Sequence, residues 1–171
     1  VPAALDGCDK LILPGVGSFG AGMAELSARG LDLYIKARAA DTKILGICLG
    51  MQFLQEKSFE DGEFAGLGLI PGQVVRFTEG KIPQIGWNEV HGLKTPLFEG
   101  IAEGTRFYFV HSYRADCADE FACAKTEYYI DYPSAIWRGN VFGVQFHPEK
   151  SGEAGLRLLK NFCKMSSHFF F

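Results

Sequence analysis

The segment Gly46-Ile47-Cys48-Leu49-Gly50 carries more potential chemistry than any other stretch of this sequence. It has G-x-nucleophile-x-G spacing, with sulfur where a hydroxyl could stand. A nucleophile on a sharp strand-to-helix turn needs glycine two residues before and two after it. Neighbouring backbone approaches those positions closely, and side chains there would clash. The apolar run Lys43–Ile47 and the following Met51-Gln52-Phe53-Leu54 suit such a junction. A sulfur at a helix N-terminus is favoured as thiolate by the dipole, and the Leu49 N–H is free to donate to an oxyanion. The same five residues also suit a buried structural cysteine, since free cysteine is among the most buried residue types.

A nucleophile needs a base. Of the four histidines, only His147 carries a carboxylate two residues on, in Val144-Gln145-Phe146-His147-Pro148-Glu149. In extended chain, residues i and i+2 point to one side, and Pro148 biases His147 toward that geometry. Glu149 can then hold one imidazole nitrogen and leave the other for Cys48. A strand-end histidine with a solvent-facing glutamate is the plainer alternative. The turn Pro14-Gly15-Val16-Gly17 follows a separate strand and can present a second backbone N–H at the carboxyl edge of a sheet. It is no dinucleotide fingerprint, because Gly15, Gly17 and Gly20 miss the G-x-G-x-x-G spacing. Thiol, oriented base and two oxyanion donors together suit acyl transfer or amide hydrolysis through a thioester. The residues alone reach a cysteine amide hydrolase.

These groups need a scaffold. Lys10-Leu11-Ile12-Leu13 and Lys43–Ile47 read as apolar strands, and residues 21–40 have helical spacing broken only by Gly30. Continuous apolar strands alternating with helices predict a parallel sheet covered on both faces. Further along, residues 67–77, 85–90, 107–115, 121–129, 135–137 and 141–146 read as short strands added as antiparallel hairpins. Residues 153–165 predict a closing helix with Ser151 as N-cap. One α/β domain with a mixed central sheet, spanning 1–171, is expected.

Composition narrows the class. The 171 residues include 47% hydrophobic and 22% charged types, which excludes intrinsic disorder. Formal charge is −3, so no basic footprint calls for nucleic acid. No apolar stretch reaches the ~18 residues of a membrane span, and the first residues lack the features of a signal peptide. The five cysteines (Cys8, Cys48, Cys117, Cys123 and Cys163) show no CxxC or zinc spacing, which predicts no metal and free thiols in a reducing cytoplasm. The terminal Phe169, Phe170 and Phe171 fit a packed tail, a partner contact or a frayed end equally well.

The nucleophile segment from Gly46 to Gln52 and the closing Phe146-His147-Pro148-Glu149 resemble the class I (triad) glutamine amidotransferases. Four further segments are similar to one branch of that class, the glutaminase subunits of imidazole glycerol phosphate synthase. They are Leu13 to Phe19, Gly66 to Gly72, Pro83 to Asn88 and His147 to Ser151. The resemblance implies a flavodoxin-like α/β fold with a mixed, mostly parallel sheet flanked by helices. It implies Cys48 as nucleophile, His147 as proton shuttle and Glu149 as its orienting partner, with Leu49, Gly15 and Val16 supplying oxyanion N–H groups. Gly17, Gln52, Glu60, His111, Ser112 and Tyr113 would hold glutamine. Trp87, Asn88, Tyr108 and Lys150 would face a (β/α)8-barrel cyclase subunit that receives the ammonia. No cofactor is implied.

Family members open with a further strand and helix, about 30 or more residues by the size of a βαβ unit. This sequence starts after that point: either it is a fragment or the protein lacks the unit, and in the second case an internal sheet edge would be bare. Three other readings stand beside the main one: the glutaminase of pyridoxal phosphate synthase, a stand-alone hydrolase of γ-glutamyl peptides, and a docking subunit without activity.

Overall fold

The computed structural model describes residues 2–166; the aromatic tail lies outside the described residues. Its centre is a five-stranded sheet in the order β1-β2-β11-β10-β9. The strands are β1 (Lys10–Leu13), β2 (Lys43–Ile47), β9 (Ala122–Tyr128), β10 (Ile130–Arg138) and β11 (Val141–Val144). β1 pairs parallel with β2, and β2 pairs parallel with β11. The β11–β10 and β10–β9 ladders are antiparallel. The expected mixed sheet is therefore split evenly, with a parallel half carrying the strand-to-helix crossovers and an antiparallel half made of hairpins.

Two smaller sheets lie beside it. β3 (Lys57–Ser58), β4 (Phe64–Ala65), β5 (Gln73–Arg76) and β8 (Tyr113–Asp116) form one, in the order β4-β3-β5-β8. β6 (Gln84–Glu89) and β7 (Arg106–His111) form a two-stranded ribbon. The sequence predicts one strand over 107–115. The chain instead breaks at Ser112, and β7 and β8 join different sheets. Likewise the helix expected over 21–40 is two helices, α1 (Phe19–Ala28) and α2 (Leu31–Arg38). Gly30 sits between them at φ 68°, left-handed backbone that interrupts the helical hydrogen-bond pattern. A short helix α3 (Leu49–Phe53) follows β2, and α4 (Gly152–Lys164) closes the described chain. No helix among the described residues is long and apolar enough to cross a membrane.

The sheet separates two cores. Along β2, Ile44 packs into the cluster with Phe19, Met51 and Phe53, while Leu45 packs into the cluster with Phe107, Phe109 and Phe146. β10 does the same with Ile136 and Ala135. Burial on both faces is why β2 and β11 read as continuous apolar runs rather than alternating ones.

The turn from β2 into α3 depends on close backbone approach. A Cβ on Gly50 would lie 1.7 Å from the Leu13 carbonyl oxygen, and one on Gly46 would lie 2.6 Å from the Gly50 carbonyl oxygen. Both obstacles are backbone and neither can swing away. We expect Gly50→Ala to lose at least ~3 kcal/mol of stability, or to leave no folded protein, as measured by urea unfolding. Wild-type stability in that variant would show that the β1–α3 contact is not needed.

Candidate active site

The parallel ladder between β2 and β11 assembles the site. Its last register pair is Ile47 with Val144, and the Cys48 N–H donates to the Val144 carbonyl at 2.8 Å. The residues after each strand are therefore neighbours: Cys48 on one side, Gln145 to His147 on the other. Cys48 takes φ 55°, ψ −110°, a strained backbone that projects its sulfur from the turn.

Cys48, Leu49, His147, Lys150, Gly15, Val16, Gly17, Gln52, Glu60, His111, Ser112 and Tyr113 all line one cavity of about 390 Å³. Among the expected site residues, Glu149 stands behind this wall, bound to His147. Trp87, Asn88 and Tyr108 lie away from the cavity. Pro83, which opens the resembling segment Pro83 to Asn88, and Val110, which no motif marks, complete the lining. They come from either side of the β6–β7 ribbon, and nothing in the sequence signals that the ribbon folds over the nucleophile.

Glu149 Oε1 lies 2.5 Å from His147 Nδ1, so the carboxylate holds that nitrogen as N–H and leaves Nε2 for chemistry. His147 is anchored by its own N–H, which donates to the Tyr108 carbonyl at 2.9 Å. Ser151, the expected N-cap, precedes α4 but makes no side-chain cap. Its hydroxyl instead donates to the His147 carbonyl at 2.6 Å and accepts the Tyr108 N–H at 2.9 Å. The residue types that cap a helix are also those that bridge two strands, and the sequence does not separate these roles.

The Gly15 turn lies directly over Leu49: a Cβ on Gly15 would sit 3.0 Å from the Leu49 Cβ and 3.2 Å from the Gly50 nitrogen. The two turns expected to carry backbone donors thus pack against each other on the cavity wall. Glu60 reaches the cavity with one carboxylate oxygen committed, because Oε2 accepts the Phe19 N–H at 3.0 Å and caps α1. His111 is buried, with Nδ1 donating to the Tyr113 carbonyl at 2.7 Å. Its Nε2 lies 2.9 Å from the Gln84 amide and 3.2 Å from the Tyr132 hydroxyl. Its imidazole is a wall strut, and Gln84 and Tyr132 are supporting residues that the sequence does not mark.

The electrostatics of Cys48 differ from the sequence expectation. Burial pushes the thiol up to about 11, and Glu149 adds to the rise; the Leu49 N–H, Gln145 and Lys150 pull the other way. Desolvation outweighs these local donors, since the whole of α3 beside the sulfur is buried. The resting site holds a thiol, and the proton must leave through a base. Burial likewise lowers His111 to about 4, so its ring is neutral at physiological pH.

The sequence matches the family Glutamine amidotransferase class-I over residues 4–165. The chain belongs to the class-I glutamine amidotransferase family. It is 51% identical over 164 residues to the imidazole glycerol phosphate synthase subunit HisH of Sulfurimonas denitrificans, covering 91% of this chain and 79% of that one. The HisH subunit of Methanocaldococcus jannaschii is 47% identical, with 92% and 81% covered. The amidotransferase fold also occurs in a crystal structure of a glutamine amidotransferase, at TM-score 0.73 and 20% identity, covering 95% of this chain and 83% of that one.

Two pH effects follow for this amidotransferase. Without substrate, Cys48 alkylation by iodoacetamide should still climb between pH 9 and pH 10; a plateau below pH 8 would contradict the buried thiol. His111 is lowered on folding, so the unfolded chain binds the extra proton between about 6.5 and about 4. Its contribution is present above that window and is lost as pH falls through it, ~3 kcal/mol when complete. Urea unfolding at pH 7 and pH 4.5 should show the loss, and His111→Gln should flatten that part of the slope.

Proposed function

We propose that this enzyme is the glutaminase subunit of an imidazole glycerol phosphate synthase, hydrolysing glutamine and passing ammonia to a (β/α)8-barrel cyclase subunit. The observation that carries the reading is one cavity lined by Cys48, the Glu149-held His147 and the backbone donors at Leu49 and Gly15, in a chain about half identical to HisH subunits.

Each step uses groups that line this one cavity or bond to one that does. The thiol gives its proton to His147 Nε2 as the sulfur attacks the side-chain amide carbon of glutamine. The oxyanion is taken by the N–H groups of Leu49 and the Gly15–Val16 turn. His147 returns the proton to the leaving nitrogen, the C–N bond breaks, and ammonia departs from a thioester. Water, deprotonated by His147, then releases glutamate. Glu149 keeps His147 in one tautomer throughout. Gly17, Gln52, Glu60 and the His111–Tyr113 strand junction hold the amino-acid end of glutamine. In Glu60 the oxygen not capping α1 is the acceptor for an ammonium group.

The partner face follows from the β6–β7 ribbon. Ile85 pairs with Val110 and Trp87 with Tyr108, so all four share one face. Ile85 and Trp87 are 61% and 51% exposed. Val110 also lines the catalytic cavity, so this apolar face runs into the site. The Trp87 ring stands edge-on to Tyr108 at 6.0 Å, and Lys150 sits on the cavity wall. A barrel seated over Ile85, Trp87 and Tyr108 would close the cavity against water and receive ammonia directly, whereas the expected partner residue Asn88 alternates to the other face of the ribbon and accepts there from Gln84. We read residues 1–171 as one amidotransferase domain working in the cytoplasm, a compartment supported by cysteines that are free rather than paired.

Glutamate release from glutamine should be weak for the chain alone. It should rise strongly with the cyclase partner plus its nucleotide substrate, and fall by at least ~10³-fold in Cys48→Ser. Trp87→Ala should weaken cyclase binding by about tenfold or more by calorimetry. Full activity of the isolated chain on γ-glutamyl peptides would favour a stand-alone hydrolase instead.

A further inference from the structure

One buried group beside the sulfur has no part in the chemistry above. Gln145 is wholly buried, and its Nε2 lies 3.7 Å from Cys48 Sγ. Its Oε1 accepts from Gln52 Nε2 at 3.1 Å, and the same Gln52 nitrogen donates to the Tyr113 carbonyl at 3.1 Å. A backbone carbonyl can only accept, so the sense of this relay is fixed from its far end. Tyr113 O requires the nitrogen of Gln52, that nitrogen requires the oxygen of Gln145, and the remaining end of Gln145 must be its NH₂. An inverted Gln145 amide would set two donors against each other at Gln52, a conflict too costly for a buried pair.

We propose that Gln145 is a positioning residue for the nucleophile, donating a hydrogen bond to the Cys48 sulfur. The donor occupies one lone pair of the thiol, which directs the S–H away from Gln145 and leaves it for the base. Once the proton has moved to His147, the same bond stabilises the thiolate where burial disfavours it. The relay also assigns Gln52 a defined part. Both its N–H bonds are spent inside the protein, so only its Oε1 remains for a ligand, and that oxygen accepts from an ammonium rather than binding a carboxylate. The proposal rests on the reading of Cys48 as the attacking group.

The other groups facing the sulfur are accounted for. Glu149 disfavours the thiolate and Lys150 favours it. His147, His111, Glu60 and Tyr113 share the cavity wall. None of them bonds to the Gln145 side chain, whose partners are Cys48 and Gln52, so a variant that keeps an acceptor for Gln52 reports the contact with the sulfur.

The test is the pH profile of Cys48 alkylation by iodoacetamide, read on the Cys48 peptide by mass spectrometry so that exposed Cys163 does not contribute. Two variants are compared with the parent, each checked for folding by circular dichroism. Gln145→Met keeps the shape and removes the donor. Gln145→Glu keeps the acceptor that Gln52 needs and places carboxylate oxygen by the sulfur, which covers the case in which the methionine variant does not fold. We expect the rate at pH 8.5 to fall about tenfold in Gln145→Met, with the profile displaced upward by about one pH unit, and further in Gln145→Glu. With the cyclase and nucleotide present, glutaminase kcat should fall while KM changes little. A Gln145→Met profile superimposed on the parent overturns the proposal and leaves Gln145 a structural partner of Gln52; a faster Gln145→Glu also overturns it. Retained glutaminase activity in Cys48→Ser would instead defeat the reading of the nucleophile, while the alkylation profile would still report the hydrogen bond.

Discussion

The pairing of β2 with β11 is the contact on which the site depends. Two strands separated by nearly a hundred residues of sequence run parallel, and their carboxyl ends stop at the same level. The ladder then runs one hydrogen bond further, from the Cys48 N–H to the Val144 carbonyl. Parallel pairing places the residues after both strands on the same edge of the sheet, where helices and turns leave a crevice. The strained backbone of Cys48 is tolerated there because both flanking glycines admit backbone from β1 and α3 at contact distance. The nucleophile's exposure is a property of three elements packed together, with the cysteine itself contributing only the sulfur.

The opposite wall is held by polar bridges. Ser151 ties the His147 carbonyl to the Tyr108 amide, and the His147 amide reaches the Tyr108 carbonyl. The base is thus bonded to β7 at Tyr108, which shares the ribbon face with Val110, Ile85 and Trp87. A partner resting on that face would press on the strand that positions the base. Phe146 stacks on Phe107 at 4.2 Å and lies edge-on to Phe109, so the segment between Gln145 and His147 is fixed by aromatic packing as well.

Burial disfavours the charged form of both Cys48 and His111. It raises the Cys48 thiol and lowers the His111 imidazole, keeping both groups neutral at rest. A neutral resting site costs little stability and protects the thiol from oxidation, which proceeds through the thiolate. The charge separation needed for attack must then be created with substrate in place. Donors already aimed at the sulfur, including the Leu49 N–H and the Gln145 amide, reduce that cost without reorganising.

Local signals in the sequence determined a good deal. The spacing of Gly46, Cys48 and Gly50 marked the strand-to-helix turn, the apolar run Lys43–Ile47 marked a strand buried on both faces, and His147 with Glu149 two residues on marked an oriented pair. These are short-range patterns whose physics is complete within a few residues. The break of the 107–115 run at Ser112, the bridging use of Ser151 and the Gln52–Gln145 relay were not legible in the same way. A buried glutamine announces that it needs partners but not which ones, and those of Gln52 in α3 lie 61 and 93 positions away along the chain. The thiol's ionisation is not legible locally for the same reason, since burial outweighs the Leu49 N–H that favours the thiolate. The dipole of α3 is a local quantity, whereas desolvation is set by every segment that closes over the sulfur. The sequence by itself determined which groups could react; the tertiary structure decided how deeply they are buried and which partners hold them, because burial and long-range hydrogen bonds belong to the packed assembly and to no single segment.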